Sequence, residues 1–426
     1  ATNAYGGTAT ATLSVTISVT PYSVCTPAEQ RASASVWAFG TNAKLTFPTT
    51  GTGAATSGSF SGVSGGLGTF TVADSTGALQ FVVDPGNGGR ILNRDGAVMH
   101  TGLGTPTTGT APNGGASQVT AFVAGQGTGK FFVVASSASS TEAGQLRYWV
   151  VDMSLNSGLG GVLAPTAGTA LGSAGVASTA VTSVPTADGT GYWVLSPNKR
   201  GNSILAYRFD ASGPTNASSP ATSNVGTVVI ASPNGVISTA YEDIRFNSDW
   251  SRVATMASNN TASSGSNYVR LLTFNAATGA LTLVREQTVT RANNNYGYNV
   301  EFSPNGNYLF ASRIRIGGDT TTTAQQAAIF RATLTTSNWT FSSLVTAPNS
   351  PRNGGMIRLG PNQRLYWAQN GGTAANGVRA ATFSTDNATL TWANQSLSPN
   401  NASYGLSQTL SDCAIPPAGF KLEKLG

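Results

Sequence analysis

Three residues share a register that could support chemistry. In successive repeats of the sequence, Arg245, Glu301 and Arg358 each stand between two apolar neighbours, in Ile244-Arg245-Phe246, Val300-Glu301-Phe302 and Ile357-Arg358-Leu359. Two guanidinium groups and one carboxylate on equivalent strands make a channel ion cluster with two readings. One is an anion- or sugar-binding cluster in which Glu301 works as a general acid or base. The other is an ion network joining the repeats, with Glu301 as the shared acceptor. The second is favoured, because a carboxylate flanked by two arginines is expected to titrate below the ordinary range, which suits an acceptor better than a proton donor.

No other constellation competes. The 426 residues contain one histidine, two cysteines and 17 acidic residues. That composition cannot build a Cys/His zinc quartet or a four-thiolate iron–sulfur cluster. His100 follows Val98-Met99 with no paired acid or thiol nearby and reads as a surface or packing residue. Glycoside hydrolysis wants a second carboxylate across a cleft, and the sequence offers Glu301 no evident partner. The run Asp84-Pro85-Gly86-Asn87-Gly88-Gly89 lacks the spaced acids and closing glutamate of a calcium loop, so it reads as a turn. No catalytic residue, metal or cofactor is assigned. The net charge of +6 comes from scattered basic residues, against a nucleic-acid partner. No apolar run approaches the length of a membrane span.

These residues need elements to hold them. Phe246, Phe302 and Leu359 mark equivalent points 56 and 57 residues apart. Each closes a short apolar strand, and each is followed by a polar turn (Ser303-Pro304-Asn305-Gly306 in the middle repeat) and a second strand. Proline presets φ in such a turn, and Asn and Gly tolerate φ > 0. Third strands follow at Val269 to Phe274, Ala328 to Thr333 and Val378 to Phe383. Four short antiparallel strands in each unit of this length predict propeller blades. Earlier units are read at Gly68 to Val72, Leu79 to Val83 and Ile91 to Met99; at Val119 to Val123, Lys130 to Ala135 and Leu146 to Asp152; and at Val181 to Val184, Gly191 to Leu195 and Ile204 to Phe209. These make six blades. A seventh is expected from both chain ends, with Leu406 to Leu410 as its inner strand beside Val36 to Phe39 and Lys44 to Phe47, because an open ring would leave an unpaired edge. The fold expected is all-β: a seven-bladed β-propeller over 31–415, a strand-forming arm over 1–30 and a tail over 416–426. Cys25 and Cys413 fall near the closing blade and are expected to form a disulfide.

Thr12 to Thr20 alternate strictly, with Leu13, Val15, Ile17 and Val19 on one face. Such a β-branched strand must pair with something. It either packs on its own propeller or adds to a neighbouring subunit's sheet, a contact that repeats head to tail into a fibre. The aromatic pairs Tyr148-Trp149, Tyr192-Trp193 and Tyr366-Trp367 are expected between blades, and Trp339 and Trp392 near the outer strands.

The runs Val36-Trp37-Ala38-Phe39-Gly40-Thr41-Asn42-Ala43-Lys44-Leu45, Val151-Asp152-Met153-Ser154-Leu155-Asn156-Ser157-Gly158-Leu159-Gly160 and Val300-Glu301-Phe302-Ser303-Pro304-Asn305-Gly306 resemble a family of exported β-propeller domains in surface and secreted proteins of Bacteroidetes-type bacteria. The resemblance spans roughly Ser35 to Leu410 and implies an extracellular or cell-surface location, without assigning catalytic residues. Low charge, at 9% of residues against about 25% in an ordinary domain, agrees with export, and the polar start at Ala1 reads as a chain already processed. The function expected is a surface or filament-forming structural subunit that self-associates through its arm or meets a cell-surface partner. The alternative is a propeller that binds or hydrolyses extracellular carbohydrate, with a glycan as partner.

Overall fold

The computed structural model describes residues 31–64, 68–86, 89–103, 119–125, 127–136, 145–165, 168–173, 176–198, 201–227, 242–258, 267–289, 295–315, 327–336, 338–346, 355–368, 377–395, 406 and 408–411. The arm residues Leu13, Val15, Ile17 and Val19 and the two cysteines, Cys25 and Cys413, lie outside these residues.

Alternating apolar residues bounded by Asn, Asp, Ser and Gly turns build short strands, and the strands fall into seven small sheets arranged as a seven-bladed propeller. The first holds β1 (Val36–Phe39), β2 (Thr41–Thr46) and β3 (Thr56–Ser64). The second holds β4 (Phe70–Ala73), β5 (Leu79–Asp84), β6 (Arg90–Asn93) and β7 (Val98–Thr101). The third runs β8 (Val119–Val123), β9 (Lys130–Ser136), β10 (Leu146–Asp152), with β11 (Gly161–Val162) and β12 (Thr169–Leu171) both on the far edge of β10. The fourth repeats that plan with β13 (Thr182–Pro185), β14 (Tyr192–Pro197), β15 (Ser203–Asp210), β16 (Gly213–Pro214) and β17 (Ala221–Asn224). The fifth is β18 (Glu242–Phe246), β19 (Arg252–Ser258), β20 (Asn267–Phe274) and β21 (Leu281–Val289). The sixth is β22 (Asn295–Phe302), β23 (Tyr308–Arg315), β24 (Ala328–Thr333) and β25 (Ser342–Thr346). The seventh is β26 (Ile357–Leu359), β27 (Leu365–Ala368), β28 (Val378–Phe383) and β29 (Leu390–Gln395), and a last strand, β30 (Gln408–Ser411), joins the second sheet. Within each sheet successive strands are antiparallel. The stretch read as one strand from Ile91 to Met99 is the β6–β7 hairpin, turned at Gly96 (φ 83°).

The repeat rests on one turn geometry. Trp250, Gly306 and Gln363 occupy equivalent places with φ of 58°, 68° and 59°. Their N–H groups bond the carbonyls three residues back, at Asn247, Ser303 and Gly360. The Ser-Pro-Asn-Gly turn is therefore one version of a left-handed turn that the neighbouring blades make without glycine.

First strands of successive sheets lie against one another: β1 with β4, β4 with β8, β8 with β13, β18 with β22 and β22 with β26. They therefore surround the axis. Buried aromatic and aliphatic side chains fill the wedges between sheets. Trp37, Phe47 and Tyr366 meet edge to face at 4.6–5.4 Å across the seam between the first and seventh blades. Such pairs contribute about 0.5–1.5 kcal/mol each beyond the area they bury.

Both chain ends close the ring, but not within one sheet. Leu406 is fully buried with Trp37, Phe39 and Phe47, as an inner strand of the first blade would be. β30 then pairs in parallel with β4, placing Gln408 opposite Phe70 and Ser411 opposite Ala73, instead of joining β1. The reason lies in β1. Its Ala38 N–H already bonds Thr71 Oγ1 (3.1 Å), and its Ala38 carbonyl accepts from Thr69 Oγ1 (2.6 Å). The edge that the tail was expected to cover is satisfied by side chains, whereas the inner edge of β4 takes a strand.

Candidate functional site at the inner strands

The three residues singled out in the sequence do converge, and a fourth organises them. Asp243 and Arg245 alternate with Ile244 on β18, so the two charged side chains share one face while Ile244 enters the core with no exposure. Asn299 and Glu301 share a face of β22 in the same way, with Val300 buried on the other. A bulge between Gly297 and Asn299 in the β22–β23 pairing sets the strand's direction just ahead of them. Arg358 lies at the middle of β26.

Side chains from each first strand reach the backbone of the next. Asp243 Oδ2 accepts from Val300 N–H (3.0 Å). Asn299 spans to Ile357 twice, its Oδ1 accepting from the N–H at 2.9 Å and its Nδ2 donating to the carbonyl at 2.7 Å. Ser312 Oγ fixes that amide from behind at 2.6 Å. Glu301 Oε2 accepts from Leu359 N–H (3.2 Å), and Oε1 accepts from Phe302 N–H (3.1 Å). The arginines converge on Asp243: Arg245 Nη2 stands 3.3 Å from Oδ1 and Arg358 Nη1 stands 3.4 Å from Oδ2. Asp243 is fully buried and Arg358 only 4% exposed.

This corrects the expectation for Glu301. The shared acceptor of the two guanidinium groups is Asp243, and Glu301 titrates upward, not downward. Burial raises its pKa to about 7 and outweighs the opposing pull of Arg245 and the backbone N–H groups. The signal for Asp243 is present in the sequence two residues before Arg245, where a period of two puts it on the same face.

On the other side of the ring the inner strands are joined by hydroxyls, while away from the axis the Asp84–Arg90 pair of the second blade bonds Ser64 and the Gly62 carbonyl of the first. Thr69 and Thr71 link β4 to β1, and Thr120 and Ser183 hydroxyls meet at 2.7 Å between the third and fourth blades. Further out, Arg270 (2% exposed) bonds Glu286 Oε2 at 2.7 Å, Thr227 O at 2.7 Å and Gly201 O, clamping the fifth blade to the fourth. Burial pushes Glu286 up, yet the bonds from Thr227 and Arg270 carry it below the usual carboxylate range.

The remaining candidates are structural. His100 lies on β7 with its ring 6.2 Å from Trp149, and partial burial lowers its pKa. Asp84 accepts from Gly86 N–H and pairs with Arg90 at 2.9 Å, closing the turn that superficially resembled a calcium loop. No group of three metal-binding side chains occurs among the described residues. Trp149, Trp193, Tyr192, Tyr366 and Trp367 are buried, as expected between blades. Trp339 is also buried, under Arg285, and Trp392 packs on Trp367 beneath Arg379, so neither ring lies open as a sugar platform. No helix is long and apolar enough to cross a membrane among the described residues.

No family model matches the chain, and no curated protein matches it. Solved structures do. A candidate 6-phosphogluconolactonase of Bacteroides fragilis aligns with a TM-score of 0.50 at 14% identity, over 87% of this chain and 97% of its own. A second candidate 6-phosphogluconolactonase, from Bacteroides uniformis, gives 0.39 at 12%, over 79% and 83%. A candidate exo-β-1,3-galactanase of Bifidobacterium bifidum gives 0.32 at 11%, over 76% and 94%. The likeness to the first is one of fold.

Proposed function

We propose that this chain is an exported bacterial propeller that works by binding, with carbohydrate as its ligand class, and not by turnover. One observation carries the reading: the carboxyl groups at the inner strands are engaged in holding blades together. Asp243 holds Val300 N–H and two arginines, and both oxygens of Glu301 accept backbone N–H groups. A general acid near pH 7 needs an oxygen directed at substrate, and a glycosidase needs a second carboxylate across a cleft. Neither arrangement is present among the described inner-strand groups. Export is supported by low charge and by the sequence resemblance, and sugars are the first ligands to try because the fold is shared with a candidate lactonase of a phosphorylated sugar acid. A glycan array followed by mass analysis of the retained glycans tests the reading. Retention of intact glycans is expected; cleaved or ring-opened products would overturn it.

A second reading, self-assembly through the arm, is supported by the strict alternation of Leu13, Val15, Ile17 and Val19. Polymers seen by negative-stain microscopy in the full chain and lost on deleting residues 1–20 are its expected result. Polymers that survive the deletion, or none in the full chain, contradict it.

A further inference from the structure

Two of the four methionines and the only histidine of the chain come together at the rim between the second and third blades. β7 is the outermost strand of the second sheet and lies against β11 of the third. A bulge in the β6–β7 pairing sets Val98 opposite Leu92 and His100 opposite Ile91, and leaves Met99 with no opposite residue. Strict alternation is broken there, so the neighbouring Met99 and His100 side chains both enter the wedge between the blades. Met99 packs on the buried cluster that holds Trp149 and Met153, and the His100 ring stands 6.2 Å from that of Trp149.

The two sulfurs face one point. A Cβ on Gly160 would stand 2.8 Å from Met153 Sδ and 2.9 Å from Met99 Sδ. Gly160 has a φ of 83°, which suits glycine, and its lack of a side chain keeps the space between the thioethers clear. His100 Nε2 is buried and has no hydrogen-bond partner among the described residues. Burial also lowers its pKa, which keeps the imidazole neutral, as a metal ligand must be. Packing asks only for apolar surface and gives no reason to keep an imidazole nitrogen dry and unpaired. No three imidazole, thiol or carboxyl groups gather to hold a metal among the described residues, so zinc and calcium find no site. Thioethers with an imidazole suit a soft cation, and an indole ring beside them adds attraction for positive charge.

We infer that Met99 Sδ, Met153 Sδ and His100 Nε2 form a site for a soft monovalent cation of the copper(I) class, with the Trp149 ring as its aromatic neighbour. The ion reaches the site from the rim, where Met99 and His100 are partly exposed. The donors are two sulfurs and one nitrogen, with no carboxylate among them, which selects against hard divalent ions. The site lies in other blades than the inner-strand ion network, and it survives or fails independently of the carbohydrate reading above.

Silver(I) nitrate is the probe, because silver(I) is soft, monovalent and stable in air. The full-length chain, with any free thiol blocked by N-ethylmaleimide, is titrated by calorimetry in a chloride-free buffer, and zinc nitrate is the comparison. A single equivalent of silver should bind saturably, and zinc should not. Met99→Leu and Met153→Leu keep the volume close and remove one sulfur each. Each should lower the silver affinity by about tenfold or more, since even the residues that support metal ligands are worth that much. Met256→Leu, on β19 of the fifth blade, should bind as the wild type does. A measurement without substitution covers the case of a variant that does not fold: in protein labelled with 13C-methyl methionine and 15N-histidine, the Met99 and Met153 methyls and the His100 ring nitrogen should move with silver, while the Met256 and Met356 methyls stay. No saturable silver binding, equal binding of zinc, unchanged affinity in Met99→Leu or Met153→Leu, or shifts confined to Met256 and Met356 would overturn the site.

Discussion

The ring is sewn in two ways. Between the first and second blades and between the third and fourth, hydroxyls make the inner contacts: Thr69, Thr71, Thr120 and Ser183. From the fifth to the seventh blade the same positions carry Asp243, Arg245, Asn299, Glu301 and Arg358. A hydroxyl donates and accepts without charge, so these inner contacts hold alike at any ordinary pH. The second region concentrates buried charge, where removing a single partner exposes the rest. The comparison teaches that one geometric task, tying an inner strand to its neighbour, can be met with quite different electrostatic consequences.

The largest effect is expected at the hub of the charged region. Asp243→Ala leaves the buried Arg358 and the partly buried Arg245 without their shared carboxylate and Val300 N–H without an acceptor. Loss of a partner from a buried ion pair costs about 3–5 kcal/mol. Chemical denaturation should show a fall of that size; a loss below about 1 kcal/mol would mean that the arginines find another anion and the hub is dispensable. Thr71→Val in the hydroxyl region keeps the shape and removes one bond to Ala38 N–H, a loss of about 1–2 kcal/mol in the same assay. Its effect should not vary between acid and neutral pH, and a pH-dependent loss would end the contrast between the two regions. The smallest effect is expected outside both regions. Arg208 and Asp188 pair at 2.9 Å with 38% and 54% of their side chains exposed, and Arg208→Gln should shift stability by no more than about 0.5 kcal/mol. A larger loss would mean that stability is not concentrated at the inner strands.

The contrast also shows what a sequence makes visible. The blades were legible because each is local: Val300 to Ser312 contains two strands and their turn, and its counterparts at Ile244 and Ile357 repeat the pattern. The convergence of Arg245, Glu301 and Arg358 followed from that repeat. Two things did not follow. The tail's pairing with β4 depends on Thr69 and Thr71 having already satisfied Ala38, a tertiary fact with no signature near Gln408. The titration of Glu301 depends on dryness. Counting arginines predicts a lowered pKa, but desolvation is set by how blades pack around Val300 and Phe302, and it dominates. Asp243 was within reach of the sequence, two residues from Arg245.

Glu301 separates the charged region from the hydroxyl region most directly. Its carboxyl moves from an ordinary 4.5 to about 7 in the folded chain. Between these values the folded state holds a proton that the unfolded state has released, so stability falls as pH rises through this window and levels off above it. The difference is up to about 3 kcal/mol. Asp152, Asp249 and Asp386 have lowered pKa values and act in the opposite sense, their contribution being lost only as pH falls below the ordinary carboxylate range. The decisive measurement is therefore the difference in unfolding free energy between the wild type and Glu301→Gln from about pH 4 to about pH 8. The account predicts that the wild type loses stability relative to the variant between 4.5 and about 7, with no further change above. A difference that stays constant across the window, or that moves in favour of the wild type as pH rises, would contradict it.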